Sequence, residues 1–361
     1  MAVLDRASGI RDLLTSSQHP RPSASRRDNV VMIALSLWFV IGLFLDSWAH
    51  ANVPKLETFF TPWHAVFYSG FTATAAWVGW LVARQLQRGR RGAAAVPLGY
   101  GAALVVLPLF AISGVADGLW HTFLGIEQNT SIFFSPSHLG LLTSMILILL
   151  APLRSAWVDP RLSERPSVRE LWPALLALGL ATSLVLLFLN YGNALTYRAA
   201  NIVDSFSTTA DHQSSWLAVK LVVTNLVLLA PILVVARRWW LPFGAVTIVV
   251  APSIVVSAAL TGFENLSTLG SVLIAGILGD LVARRIQPAG DRRTAFWVFG
   301  AVFAFLTWSL YFATASVVEW RIPTITEMWT GAPIVAGLVG WLFAALLLPD
   351  ARPTRPQPDR N

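Results

Sequence analysis

The chain has six histidines, and four of them, His50, His64, His121 and His138, fall into two matching patterns. The first reads Asp46-Ser-Trp-Ala-His50, then Glu57, then Phe60-Thr-Pro-Trp-His64. The second reads Asp117-Gly-Leu-Trp-His121, then Glu127, then Phe134-Ser-Pro-Ser-His138. Both have the form Asp-x3-His, a connection containing Glu, and Phe-[Thr/Ser]-Pro-x-His. Residues four apart share a helix face, so each Asp-x3-His sets a carboxylate and an imidazole one turn apart. Proline suits the first position of a helix, where its missing N–H costs nothing. The His two residues later therefore lies in the first turn of the returning helix. One carboxylate and two imidazoles then converge from each hairpin with a position left open, which is an open ligand set for a transition metal. Taken singly, Asp-x3-His is an ordinary helix-end ion pair and Pro-x-His an ordinary helix start. Their recurrence in matching order favours metal binding over a purely structural polar cluster.

The elements that must position these groups are membrane helices. Hydrophobic residues make up 55% of the 361 and charged residues only 12%, about half the ~25% usual in soluble proteins. A soluble enzyme and a disordered scaffold are excluded. The absence of Cys removes disulfides, thiolate copper sites, Cys-held Fe–S clusters and Cys nucleophiles. The four Met are scattered and form no thioether ladder.

A spanning helix needs ~20 apolar residues, and ten stretches qualify, near 30–49, 62–83, 95–119, 136–153, 171–191, 215–236, 242–261, 267–283, 294–318 and 331–348. The eighth is the shortest of them. Of 26 Lys and Arg, 22 fall in the two tails and the even-numbered gaps, which places that side in the cytoplasm. The net charge of +7 is thus a matter of topology and not of nucleic acid. Ala49-His50-Ala51 resembles a signal-peptide cleavage site, but the polar stretch before the first span is long for one, and the segment is expected to be retained.

The expected fold is an all-α, polytopic membrane helical bundle of about ten transmembrane helices, with both termini cytoplasmic and duplicated helical hairpins. Residues 1–29 and 349–361 read as disordered cytoplasmic tails. Residues 30–156 form a four-helix metal unit from hairpins 30–84 and 95–156, and 171–348 hold six further spans.

Five histidines, including His212, and nine acids sit on the outer side; ionisable groups there are costly and usually functional. Glu57, Glu127, Asp211 and His212 are candidates for holding the ligands in place from outside. Lys220 is expected either to reach outward or to pair with an acid such as Glu264, and Asp280 to pair with Arg284 or Arg285. No nucleotide loop, nucleophile elbow or HExxH occurs.

The second hairpin resembles the metal-binding region of the C subunit of the particulate methane and ammonia monooxygenases, which carries Asp-Gly-x-Trp-His and Phe-Thr-Pro-Ser-His. The resemblance implies that Asp117, His121 and His138 are copper ligands. The first hairpin is similar to that family's second site, with Asp46 in the place of an Asn, and His50 and His64 at its two His positions. The two hairpins occur here in the opposite order, and the likeness covers residues 46–64 and 117–138 only.

What this implies is copper, with zinc the alternative, held on the extracytoplasmic side of the plasma (inner) membrane. Function is expected to be either that of a copper oxidoreductase acting on a small apolar substrate and O₂, or non-catalytic handling or transport of copper or zinc. A carboxylate-coupled transporter and a bis-His haem protein rank below these. Lipid, other membrane subunits or a second copy of the chain are the expected partners.

Overall fold

The structure, a computed structural model, describes residues 20–53, 61–125, 129–208 and 211–348. In chain order the helices are α1 (Arg26–Asn52), α2 (Pro62–Gln87), α3 (Gly101–Phe123), α4 (Pro136–Leu149), α5 (Ala151–Trp157), α6 (Val168–Phe188), α7 (Ala199–Ser205), α8 (Asp211–Arg238), α9 (Ala245–Leu260), α10 (Leu266–Ile286), α11 (Arg293–Val318) and α12 (Thr326–Leu347). No strand occurs among the described residues, and a single bridge joins Ser23 to Leu98. Capping boxes start α1 (Ser25 with Asp28) and α6 (Ser167 with Glu170), each side chain satisfying an N–H that the helix start leaves over.

Eight of these helices contain apolar stretches of 21 to 27 residues, long enough to cross a ~30 Å hydrocarbon layer. Each of the ten expected segments overlaps a helix; the third becomes helical only from Gly101, residues 96–100 being a turn and bridge, and three others depart in length or shape. The fourth is broken into α4 and α5, which meet at a 40° bend. Pro152 follows the bend, and its missing N–H removes a bond from the helical ladder. The seventh, α9, has only 16 residues, roughly 24 Å at 1.5 Å per residue. The eighth, shortest in sequence, extends to the 21 residues of α10.

The buried apolar residues form two clusters. One is drawn from α1–α6 and the other from α5–α12: α5 gives Ala151 to the first and Leu153 and Ala156 to the second, and α6 gives Leu180 and Leu184 to the first and Leu171, Leu175 and Leu186 to the second. Helices α1 and α2 touch backbone to backbone. A Cβ on Gly42 would lie 2.7 Å from the Cα of Phe67, and one on Gly70 2.6 Å from the Cα of Phe39. On the outside of α3, Val105, Leu109, Ile112, Val115 and Phe123 form an exposed apolar stripe, the surface a lipid-facing helix requires.

Between α6 and α7 the chain turns through two short 3-10 turns, Asn190–Gly192 and Ala194–Thr196. Irregular backbone inside an apolar bundle must find its hydrogen bonds in protein. Thr224 donates to the Gly192 carbonyl and accepts from Ala194 N–H; Tyr311 and Asn265 donate to the Ala194 and Leu195 carbonyls. Residues 20–25, within the expected tail, dock on the loop before α3: Arg21 donates to the carbonyls of Val96 and Pro97.

Candidate metal centre

The second helix of each hairpin opens in the same way. Thr61 caps α2, accepting from His64 N–H at 3.1 Å, and its Oγ1 lies 3.2 Å from Nδ1 of the same histidine. Ser135 caps α4, accepting from His138 N–H at 3.3 Å, with its Oγ 2.6 Å from His138 Nδ1. Pro62 and Pro136 fill the first helical position between cap and histidine. The capping hydroxyl engages both the backbone and the ring of the residue three positions on. Because it occupies Nδ1, the other ring nitrogen is the one left to face a carboxylate or an ion.

That nitrogen does face a carboxylate. His64 Nε2 lies 3.4 Å from Asp46 Oδ2, and His138 Nε2 lies 3.4 Å from Asp117 Oδ1. His121, one turn after Asp117 on α3, puts its Nε2 3.4 Å from Asp117 Oδ2. Ser137 donates to Asp117 Oδ1 at 2.9 Å and lies 3.0 Å from Ser135, so the carboxylate is oriented from the helix that carries His138. Asp117 is 2% exposed.

The geometry suits a metal ion. The ligand atoms of Asp117, His121 and His138 all lie within 4.8 Å of one another. Two ligands each ~2.1 Å from a tetrahedral ion stand ~3.4 Å apart; each histidine has this separation from a different Asp117 oxygen, His121 from Oδ2 and His138 from Oδ1. It exceeds the ~2.7–3.2 Å of a usual N–H···O bond.

The two hairpins face each other. The His64 and His121 rings have centroids 6.3 Å apart, and those of His121 and His138 are 5.9 Å apart. Asp46, His64, Tyr68, Asp117 and His138 line one side of a cavity of about 30 Å³, room for about one water-sized molecule. Leu43, Phe67, Leu141, Met145 and Phe188 line the rest. Tyr68 packs on Gly114, where a Cβ would meet its ring at 2.9 Å. Trp48 and Trp63, each within two residues of a motif residue in the first hairpin, meet edge to face at 5.9 Å.

Five of the six expected ligands, Asp46, His64, Asp117, His121 and His138, are therefore gathered in one place. His50 is in the last turn of α1, and its side chain lies outside the described residues, as does that of Asp211. Glu57 and Glu127 also lie outside the described residues. His212 is exposed in the first turn of α8. Sequence reading had Thr61, Ser135 and Ser137 inside the repeated motifs but gave them no role, and it passed over Tyr68. For the two caps a signal was present, a Ser or Thr three residues before each returning His; Tyr68 had none.

Two expected pairings differ. Asp280 does not pair with Arg284 or Arg285 but accepts from the N–H groups of Val246 and Thr247 and the Thr247 hydroxyl, closing the start of α9. Glu264 pairs with Arg198, and the Lys220 ammonium lies 5.0 Å from the centre of the Tyr197 ring. A cation over an aromatic face is a favourable contact.

No protein-family model matches the chain, and no curated protein or solved structure is significantly similar to it.

Proposed function

We propose that the chain is a multi-pass protein of the plasma membrane that holds a transition metal in a centre shared by its two hairpins. Asp117, His121 and His138 form the principal ligand set, with Asp46 and His64 beside it and His50 a further ligand expected from the repeated motif. The observation that carries this reading is the convergence of the ligand atoms of buried Asp117 and His121 and half-buried His138 within 4.8 Å of one another. Copper is the metal favoured, because imidazole suits it and Cu(II) stands highest in the divalent affinity order; zinc fits the same donor set. In this reading the hairpins arose by duplication, are distant kin of the C subunits of the copper membrane monooxygenases, and open to the extracytoplasmic side. Ten crossings with both termini in the cytoplasm follow from the distribution of Arg.

Copper held there would supply one-electron redox chemistry to a small molecule in the adjoining cavity. The protein's own residues bind and orient: the Thr61 and Ser135 hydroxyls hold the imidazoles, Ser137 holds the Asp117 carboxylate, and the apolar wall excludes water. A second reading, metal held for storage or transfer, is favoured by the small volume of the cavity.

The test is metal content and EPR on protein purified without chelator, for wild type and for Asp117→Ala, His138→Ala and His64→Ala. A type-2 Cu(II) signal lost in the first two variants and altered in the third supports the centre. No bound metal in the wild type after reconstitution with Cu(II) or Zn(II) overturns it. Oxygen uptake with a reductant separates the oxidoreductase from the metal-handling reading.

A further inference from the structure

At the end of the bundle away from the metal centre, three apolar spans terminate close together: α8 at Arg238, α10 at Ile286 and α11 at Arg293. Between them lies a cavity of about 340 Å³, lined among others by Arg237, Arg238, Trp239, Trp240, Gly290 and Asp291. A second hollow of about 550 Å³ shares Gly290 and Asp291 and runs on to the start of α11.

Trp240 is fixed at the edge of the cavity by its N–H, which donates to the Glu164 carbonyl at 2.9 Å. The guanidinium of Arg165 stacks over its ring at 3.7 Å, and that of Arg292 lies 5.7 Å from it. A guanidinium stacked on an indole keeps its N–H donors at its edge, in the fork that fits a phosphate. Arg238 lies over Trp239 at 5.3 Å.

Three further observations make this more than a solvated basic edge. First, Arg165, Arg237, Arg238 and Arg292 form no ion pair among the described residues, although Glu164 and Asp291 line the same cavity; Arg292 Nη1 donates to Gln287 Oε1 at 3.1 Å, which leaves the rest of its donors for a ligand. Second, Trp239 is 1% exposed and its indole N–H has no acceptor among the described residues. Third, α11 begins without a side-chain cap and without an acid in its first turn, so its leading N–H groups remain for another acceptor, the nearest acid in sequence being Asp291 just before the helix.

We infer that this cavity binds the phosphate of an anionic phospholipid headgroup. The depth fits, since the cavity sits where three apolar spans end and where headgroups begin. The chemistry fits, since basic pockets between helix ends at the cytoplasmic face are where anionic headgroups are recognised. The inference does not depend on the metal centre.

The experiment is native mass spectrometry of the full chain released from nanodiscs of phosphatidylcholine with phosphatidylglycerol. Wild type is expected to retain one phosphatidylglycerol with at least ~10-fold preference, the discrimination of about 1.4 kcal/mol. The variant Arg165→Gln with Arg292→Gln is expected to lose that preference, and Arg165→Lys to retain part of it. The control Arg88→Gln with Arg90→Gln, at the same end of the bundle, is expected to behave as wild type. Retained helicity and monodisperse elution show that each variant is folded. Equal retention of both lipids by wild type, or equal loss in control and test variants, would overturn the assignment. Displacement of the lipid by an equal concentration of inorganic phosphate would overturn a headgroup in favour of the free ion.

Discussion

Phe39, two turns before Asp46, and Phe110, two turns before Asp117, meet edge to face with ring centroids 5.2 Å apart. Both are fully buried. Phe67 stacks on Phe39 at 5.3 Å and Phe71 on Phe110 at 4.2 Å. Two helical turns span ~11 Å, so this aromatic cluster lies beneath the ligands and sets how closely the hairpins approach. It thereby sets the distance between His64 and His121.

Phe110→Ala removes the middle of that cluster and is expected to destabilise the protein by about 3–5 kcal/mol. Phe110→Leu, which keeps most of the volume, is expected to cost less than half of that. Thermal unfolding followed by circular dichroism in detergent checks the order. The metal affinity of Phe110→Ala, measured on the folded fraction, is expected to fall as well.

Ser137→Ala leaves every ligand in place but removes the hydrogen bond that orients Asp117. Loss of such an outer contact weakens metal binding by about 10–100-fold. Competition with a chelator of known affinity measures it. An unchanged affinity would mean that Ser137 does not orient the carboxylate.

Gly70→Val places a branched side chain where even a Cβ would lie 2.6 Å from the backbone of Phe39. Helices α1 and α2 cannot both stay where they are, and overpacking of this kind costs about 1–3 kcal/mol or more. Gly79→Val, at a position with nothing within 4 Å, is the matched control. Paired melting temperatures should separate the two clearly.

Asp28 is buried and receives two hydrogen bonds from Arg84, at 3.2 and 3.0 Å. Arg84→Ala leaves the buried carboxylate without its charge partner, held by Ser25 N–H at the helix start, at an expected cost of about 3 kcal/mol, the low end for a broken buried pair. Adding Asp28→Asn to Arg84→Ala is expected to recover part of that loss, because no charge is then stranded. A double-mutant cycle of unfolding free energies tests this.

Metal removal by chelator is expected to leave the helical content unchanged while lowering the melting temperature. Re-addition of Cu(II) or Zn(II) should restore it by mass action on the native state. If apo and loaded protein melt at the same temperature, binding to the native fold is not established.

The helices and the ligand types were legible in the sequence because both rest on local rules. Apolar runs mark spans, and an Asp-x3-His or Pro-x-His spacing fixes which residues share a helical turn. The approach of His64 to His121 was not legible. It depends on the Phe39–Phe110 contact that packs one hairpin on the other and on the close approach of α1 and α2 at Gly42 and Gly70 within the first, and spacing along a chain carries no such information. The break after Leu149 was obscured by the unbroken hydrophobicity of residues 136–153. Asp280 looked like a partner for the nearby Arg284 and Arg285, but the unpaired N–H groups at the start of α9 compete for the same carboxylate and win at 2.8 Å.

Phe188, the last residue of α6, lines the cavity beside the metal ligands, and Leu180 and Leu184 of the same helix share a core with α1–α4. The metal unit is therefore not bounded where its ligand hairpins stop. A fragment cut after α5 would open the apolar wall of the cavity and strip a helix from the core beneath it. The wall of the site and the core beneath it call on α6 as well as on the two hairpins.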